Sequence, residues 1–413
     1  MTSPVRARAV VAALLITGVV GTAPAVPAQA RTAAATGHSA AERTTTAAEP
    51  PALPQVTGGC VGESPTVADT APWALRRMLP SAVWPLTRGR GVVVAVIDTG
   101  VSAGATALRG AVRRGTDVVG SGAADRDCYG RGTALAGIVA GRPVTGSAFV
   151  GVAPEATILP IRIVDGKGKV APGAIAAGIR AATAAKADVI LLGVGTPAPD
   201  AELRAAIREA VTRDVVLVAS VSDDTRPAGT TQKPAPWYPA AHPDVLAVGG
   251  IDAKGVPTEK SPAESGVDLL APAADAVSVA PRGDGHYTVA GPAVAAAYAA
   301  GAAALIRAHY PKLSQADVRH RLELTAEHPL GSWPAPSVGY GTLDLYHAVT
   351  ALELGRTPVP SQPQVLRPLP TADPGEPTTL IAGSVAAGMV GLAGLAYLSA
   401  MTVKWGRRRR WRP

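Results

Sequence analysis

Apolar residues run without a break from 92 to 97 and end on an aspartate, Asp98. A run of strand length with no polar alternation predicts a strand buried on both faces, as in a parallel sheet. Predominantly apolar segments of strand length recur at 157–164, 189–194, 215–221 and 245–248, with shorter ones at 267–270 and 276–279, some of them broken by a single polar residue or, at 157–164, by Arg162. Between them lie segments of helical character: 132–141, the Ala-rich 173–185, and 200–212, with Asp200 near its start and Arg213 near its end as the helix dipole favours. Strand and helix in alternation predict an α/β body, a doubly wound parallel sheet with helices on both faces. Residues 294–309 predict a long helix made largely of Ala, Gly, Leu and Ile, a composition that packs closely on all sides and marks a central helix. Ser314 with Asp317 three positions on is close to a capping box for the helix after it.

The two ends of the chain have patterns of another kind. Arg6 and Arg8 precede an apolar stretch at 9–20 and a small-residue site at Ala28-Gln29-Ala30, the three parts of a secretory signal over residues 1–30. Residues 31–54 are mostly Ala, Thr, Pro and Glu without apolar period and predict a flexible leader. Residues 55–90, with Trp73, Trp84 and Leu86, predict an N-terminal extension packed on a body at 91–354. A proline-rich segment at 355–379 predicts a semi-rigid spacer. Residues 380–403 carry no charge, and at about 1.5 Å per residue they span a ~30 Å hydrocarbon core with some tilt. The basic tail at 404–413 follows at once, which predicts a single span with an extracytoplasmic body and a cytoplasmic tail.

Charge and cysteine content change this in two respects. The formal net charge of the 413 residues is +8, but six cations lie in the last ten residues and two are Arg6 and Arg8. Without these eight the remainder is neutral, so a nucleic-acid partner loses its main support. Cys60 and Cys128 are the two cysteines of the chain. In an exported protein they would most simply bond to each other, and two separately buried thiols are the alternative.

Three segments carry candidate chemistry. Val-Val-Val-Ala-Val-Ile-Asp-Thr-Gly at 92–100 resembles the aspartate motif of subtilisin-like serine proteases, with Asp98 in place. The stretch Gly-Arg-Gly-Thr-Ala-Leu-Ala-Gly-Ile at 130–138 resembles their histidine motif, Gly-His-Gly-Thr-x-Val-Ala-Gly-Ile, with Arg131 where the general base stands. Residues 290–307 resemble the serine motif, with Ala293 at the nucleophile position. Further segments narrow the resemblance to the mycosins, the membrane-anchored subtilases of type VII secretion systems. These are Pro-Trp-Ala-Leu-Arg-Arg at 72–77, Asp127-Cys128, Val-Ala-Pro-Glu-Ala-Thr-Ile-Leu-Pro-Ile-Arg at 152–162, and Tyr-Pro-Ala-Ala at 238–241. The resemblance implies a subtilase fold over about 71–351, a Cys60–Cys128 disulfide, and protein partners in a type VII secretion membrane complex. It implies no cofactor, and no Cys/His cluster for a metal is present in the sequence.

Serine-protease chemistry needs a hydroxyl nucleophile, an imidazole to take and return its proton, and a carboxylate to orient the imidazole. Arginine stays protonated near neutral pH, and alanine has no oxygen. The family's oxyanion asparagine aligns with Ser222, and its cleft-wall Asn-Leu-Ser-Leu-Gly with Leu191, Leu192, Gly193, Val194 and Gly195. The expectation is a membrane-anchored protease homologue without activity that binds proteins of the secretion apparatus. Its rival is an active endopeptidase with a relocated site that uses His286 or Thr288; a cleft that binds peptide without cutting it is a third possibility. Arg131 has three destinations open to it: a bidentate pair with Asp98, a pair with Asp125 or Asp127, or solvent.

Overall fold

The computed structural model describes residues 49–56, 58–171, 173–222, 236–258, 266–352 and 377–408. The signal segment at 1–30, most of the leader, nearly all of the spacer and the last five residues of the tail lie outside the described residues. After a short helix α1 (Trp73–Met78), the apolar run becomes β1 (Val93–Asp98). There follow β2 (Thr116–Asp117), α2 (Arg131–Ala140), β3 (Thr157–Arg162), α3 (Ala174–Ala184), β4 (Val189–Leu192), α4 (Ala201–Thr212), β5 (Val216–Ser220), β6 (Leu246–Ile251) and β7 (Leu269–Pro272). A hairpin of β8 (Ala276–Val279) and β9 (His286–Val289) leads into α5 (Pro292–His309), α6 (Gln315–Leu324) and α7 (Leu345–Thr350). The last helix is α8 (Pro377–Arg408).

Seven strands form one parallel sheet in the order β2-β3-β1-β4-β5-β6-β7. The alternation that the apolar run conceals appears in the packing of β1. Val94 and Val96 join the cluster formed with α2 and α5, while Val93, Ala95 and Ile97 join the one formed with α3 and α4. Each face of the strand is therefore a core, which is why no polar residue interrupts it. Along the chain, β1 is followed by strands on one side of it and then by strands on the other. Its C-terminal end is thus the topological switch point of the sheet, where open α/β folds place their sites.

Most sequence-predicted elements form within a residue or two of their expected ends. Asp200 caps α4 by accepting from Leu203 N–H at 2.6 Å, and Ser314 and Asp317 complete a capping box on α6. Helix α5 starts two residues earlier than predicted, because Pro292 tolerates the first helical turn. The segment 276–279 is a strand as predicted, but it belongs to the antiparallel hairpin with β9, which the apolar pattern missed. The predicted leader also differs at its end. Leu53 N–H donates to Thr288 O, and Thr288 N–H and Oγ1–H donate to Pro51 O and Pro50 O, so residues 50–53 lie along the hairpin and form a parallel bridge to β9 at Ala52. Apart from the Thr288 hydroxyl, backbone groups make these bonds, and composition does not register them.

Helix α8 contains one segment, Gly383–Gly406, long and apolar enough to cross a membrane, and none of it is buried against the body.

Candidate functional site

Asp98 is the last residue of β1 and shares the period-2 face of Val94 and Val96, so its carboxylate points toward α2 and α5. It is fully buried. Oδ1 accepts from Thr99 N–H at 2.8 Å and from Arg131 Nε–H at 3.0 Å. Arg131 Nη2 stands 3.0 Å from Oδ2. The guanidinium lies side-on to the carboxylate, and its own side chain is a quarter exposed. Of the destinations open to Arg131, the structure places it on Asp98.

Arg131 is the first residue of α2, where a cation opposes the helix dipole by about 0.3–1 kcal/mol. Two buried carboxylates offset this. One is Asp98. The other is Asp127, whose Oδ1 accepts from Tyr129 and Gly130 N–H and whose Oδ2 accepts from Thr133 N–H and Oγ1–H, all between 2.7 and 3.0 Å. Asp127 thus caps α2 across Gly130, which turns into the helix at φ +77°. Burial pushes its carboxyl up, and the bonds from Thr133 pull it back. The sequence marked Asp127 as a neighbour of Cys128 and as a possible partner of Arg131, but not as a cap; its spacing of four before the first helical residue was the available signal.

Ala293 is the second residue of α5 and is buried, a methyl group at the position of the expected nucleophile. Ser222 lies two residues past β5 and is also buried. β1, β4 and β5 run parallel, so Asp98, Gly193 and Ser222 follow strand ends on one edge of the sheet. Helix α2 packs on α5 and on β1, so the two helices that carry the predicted triad positions share the face of the sheet toward which Asp98 points. Among the described residues no group of three or more His, Cys, Asp or Glu is disposed to hold a metal ion. The arrangement neutralises a buried carboxylate with a permanent cation. It offers neither a proton acceptor of suitable pKa nor an oxygen nucleophile at the triad positions.

His286 and Thr288, the residues of a relocated site, have other partners. His286 is buried, and its Nδ1 accepts from Ala68 N–H at 3.2 Å. The ring proton therefore sits on Nε2, 3.2 Å from Ser147 Oγ. That tautomer donates to the serine and cannot take its proton. Burial pushes the imidazole pKa down to about 4, and Phe149 packs edge-on to the ring. Thr288 Oγ1–H is committed to Pro50 O.

The N-terminal extension reaches the same region. Cys60 and Cys128 form a disulfide across 68 residues, and Val61 N–H donates to Cys128 O. His286 N–H donates to Thr66 O, and Ala148 N–H to Ala68 O. Beside the disulfide lies an open cavity of about 590 Å³ lined by Glu63, Asp125, Arg126 and Arg282, among others.

Residues 89–347 match the model of the subtilase family. The chain is 33% identical over 387 residues to mycosin-1 of Mycobacterium tuberculosis (strain ATCC 25618 / H37Rv), which covers 79% of this chain and 84% of that protein. Among solved structures it is similar to MycP1 from the ESX-1 type VII secretion system, with a TM-score of 0.64 and 28% identity over 75% of this chain and 93% of that one. It is likewise similar to a chain of an intact ESX-5 inner membrane complex, with a TM-score of 0.65 and 27% identity over 86% of this chain and 97% of the other.

Proposed function

The chain belongs to the subtilase family and is mycosin-like within it, and from that premise we propose that it is a protease homologue without proteolytic activity that serves a type VII secretion complex by binding. The single observation that carries the reading is the Arg131–Asp98 pair. The carboxylate that orients the imidazole in a working triad is here neutralised by a guanidinium, and Ala293 has no atom to form an acyl-enzyme. Loss of groups of this kind removes on the order of 10⁶ in turnover. Ser222 at the expected oxyanion position and the altered wall at 191–195 are consistent with a cleft released from catalysis.

The proposed partners are protein components of a type VII secretion membrane complex, supported by the likeness to a chain of the ESX-5 assembly. The proposed architecture is a signal segment at 1–30, a leader, the extension at 55–90, the peptidase-like body at 91–354, a spacer, one span at 380–403 and a basic tail. In that arrangement the body is extracytoplasmic and α8 is its anchor, which the 24-residue apolar segment supports. No cofactor enters the reading.

The test is direct. The purified protein is expected to leave peptides uncut and to remain unlabelled by a fluorophosphonate serine probe, while co-purifying with membrane components of the secretion complex. Peptide cleavage that disappears on changing His286 or Thr288 to alanine would replace this reading with that of a relocated endopeptidase.

A further inference from the structure

Gly193 follows β4 and sits beside Asp98. Ile97 pairs with Leu192 in the parallel register, so the next step brings Gly193 opposite Asp98. Leu191, two residues earlier on β4, packs into the α2/α5 core, so position 193 faces the same side as the Asp98 carboxylate. A Cβ built on Gly193 would overlap Asp98 Oδ2 and lie 2.9 Å from Leu135 Cδ1 of α2. The backbone there is not in the left-handed region, so nothing in its conformation requires glycine. Space alone requires it.

We propose that Gly193 is part of the silenced centre: the Arg131–Asp98 pair closes because position 193 carries no side chain. The geometry of the pair gives the reason. Thr99 N–H and Arg131 Nε–H both hold Oδ1, and the guanidinium approaches side-on with Nη2 at 3.0 Å from Oδ2. A planar fork meeting both oxygens fixes the plane of the carboxylate as well as its position. In that plane Oδ2 is buried, has the ion-pair contact with Arg131 Nη2 but no well-aligned hydrogen bond among the described residues, and lies where a side chain at Gly193 would stand. An imidazole bonds one oxygen through one nitrogen and leaves the plane free to turn. The subtilase pattern has serine where this chain has Gly193, so arginine at 131 and glycine at 193 are two halves of one change. The centre is then a locked unit of Asp98, Arg131 and Gly193, in which restoring histidine and serine at 131 and 293 leaves the glycine half unreversed.

This inference rests on the reading of a centre without catalysis and deepens it; its readout is stability, so it fails separately from the hydrolysis test. Thermal unfolding of the full chain in detergent is followed by tryptophan fluorescence for Gly193→Ala alone, in an Arg131→His background and in an Asp98→Ala background. A glycine replaced by alanine at a compatible, open position raises Tm slightly through the unfolded state, and Gly166→Ala, with nothing near its Cβ, serves as that control. Gly193→Ala in the natural chain is expected to lower Tm by about 5 °C or more. In either second background the fall should shrink to less than about 2 °C. Failure of Gly193→Ala to fold alone, with folding restored by Arg131→His or Asp98→Ala, is the same coupling in its extreme form. An equal fall in all backgrounds, or no fall in the natural chain, overturns the proposal.

Discussion

Arg131 and His286 do opposite things with charge. Arg131 brings a permanent cation to a fully buried carboxylate, and a buried pair of this kind contributes little net stability while its rupture is costly. Arg131→Ala should therefore destabilise the protein by about 3–5 kcal/mol, because Asp98 is left buried and unpaired. Adding Asp98→Asn should recover part of the loss in thermal unfolding; an Arg131→Ala variant as stable as the parent would contradict the geometry. His286 stays neutral instead. Its folded pKa is down at about 4 against an ordinary 6.5, so between these values the unfolded chain holds the extra proton. Its stability contribution is full above pH 6.5 and is lost as pH falls toward 4, about 3 kcal/mol in all. Glu323 runs the other way: burial raises it to about 7, so its contribution is full below pH 4.5 and is lost as pH rises toward 7. The two partly cancel in the parent. His286→Gln removes one of them, and its Tm should fall less between pH 7 and pH 4.5 than that of the parent; an equal acid loss would assign the dependence elsewhere.

At the scale of elements, the N-terminal extension is stitched to the hairpin and to the loop before α2 at several points. Residues 50–53 bridge to β9 through Thr288, Thr66 and Ala68 bond His286, and the disulfide joins Cys60 to the turn that Asp127 organises. Closing a loop of 68 residues is worth up to about 4 kcal/mol by the chain-entropy account. The Cys60→Ser/Cys128→Ser pair should lower Tm measurably yet leave the body folded, since the backbone bonds of the extension remain. Mass spectrometry of the natural protein under non-reducing conditions should find no free thiol; two free thiols would remove the bond from the account. At the far end of the body, Arg321 lies over the Tyr310 ring and donates to the carbonyls of Ala348, Val349 and Ala351. It thereby fastens α7, the last element before the spacer, to α6.

For the whole molecule the governing contrast is between a near-neutral body and a cationic end. Helix α8 carries an uncharged stretch followed by Lys404, Arg407 and Arg408, and the sequence adds three more arginines after it. The proposed orientation places that end in the cytoplasm, the side on which Lys and Arg are retained. Protease added to cells stripped of their wall should release the body and leave the tail protected, and digestion of the tail would reverse the orientation. A chain ending at residue 354 should be recovered without detergent, whereas the full chain should require it.

The parallel sheet, the long central helix and the caps at Asp200 and Ser314 were all legible in the sequence, as were the residue types, Arg131 and Ala293, on which the proposed loss of base and nucleophile rests. Each follows from a local property: an uninterrupted apolar run, a capping residue at fixed spacing, or one residue type standing in for another. What the sequence left open were relations between distant residues. Arg131 had several acids within reach along the chain, and the period-2 face of β1 together with the start of α2 brought it to Asp98. Gly193 looked like an altered wall position until the β1–β4 register set it against that carboxylate. His286 looked available as a base until a backbone N–H of the extension, 218 residues away, was found on its Nδ1. The pattern of side chains encodes which surfaces are buried, but the pairing of buried polar groups depends on register and packing, which only the folded chain supplies.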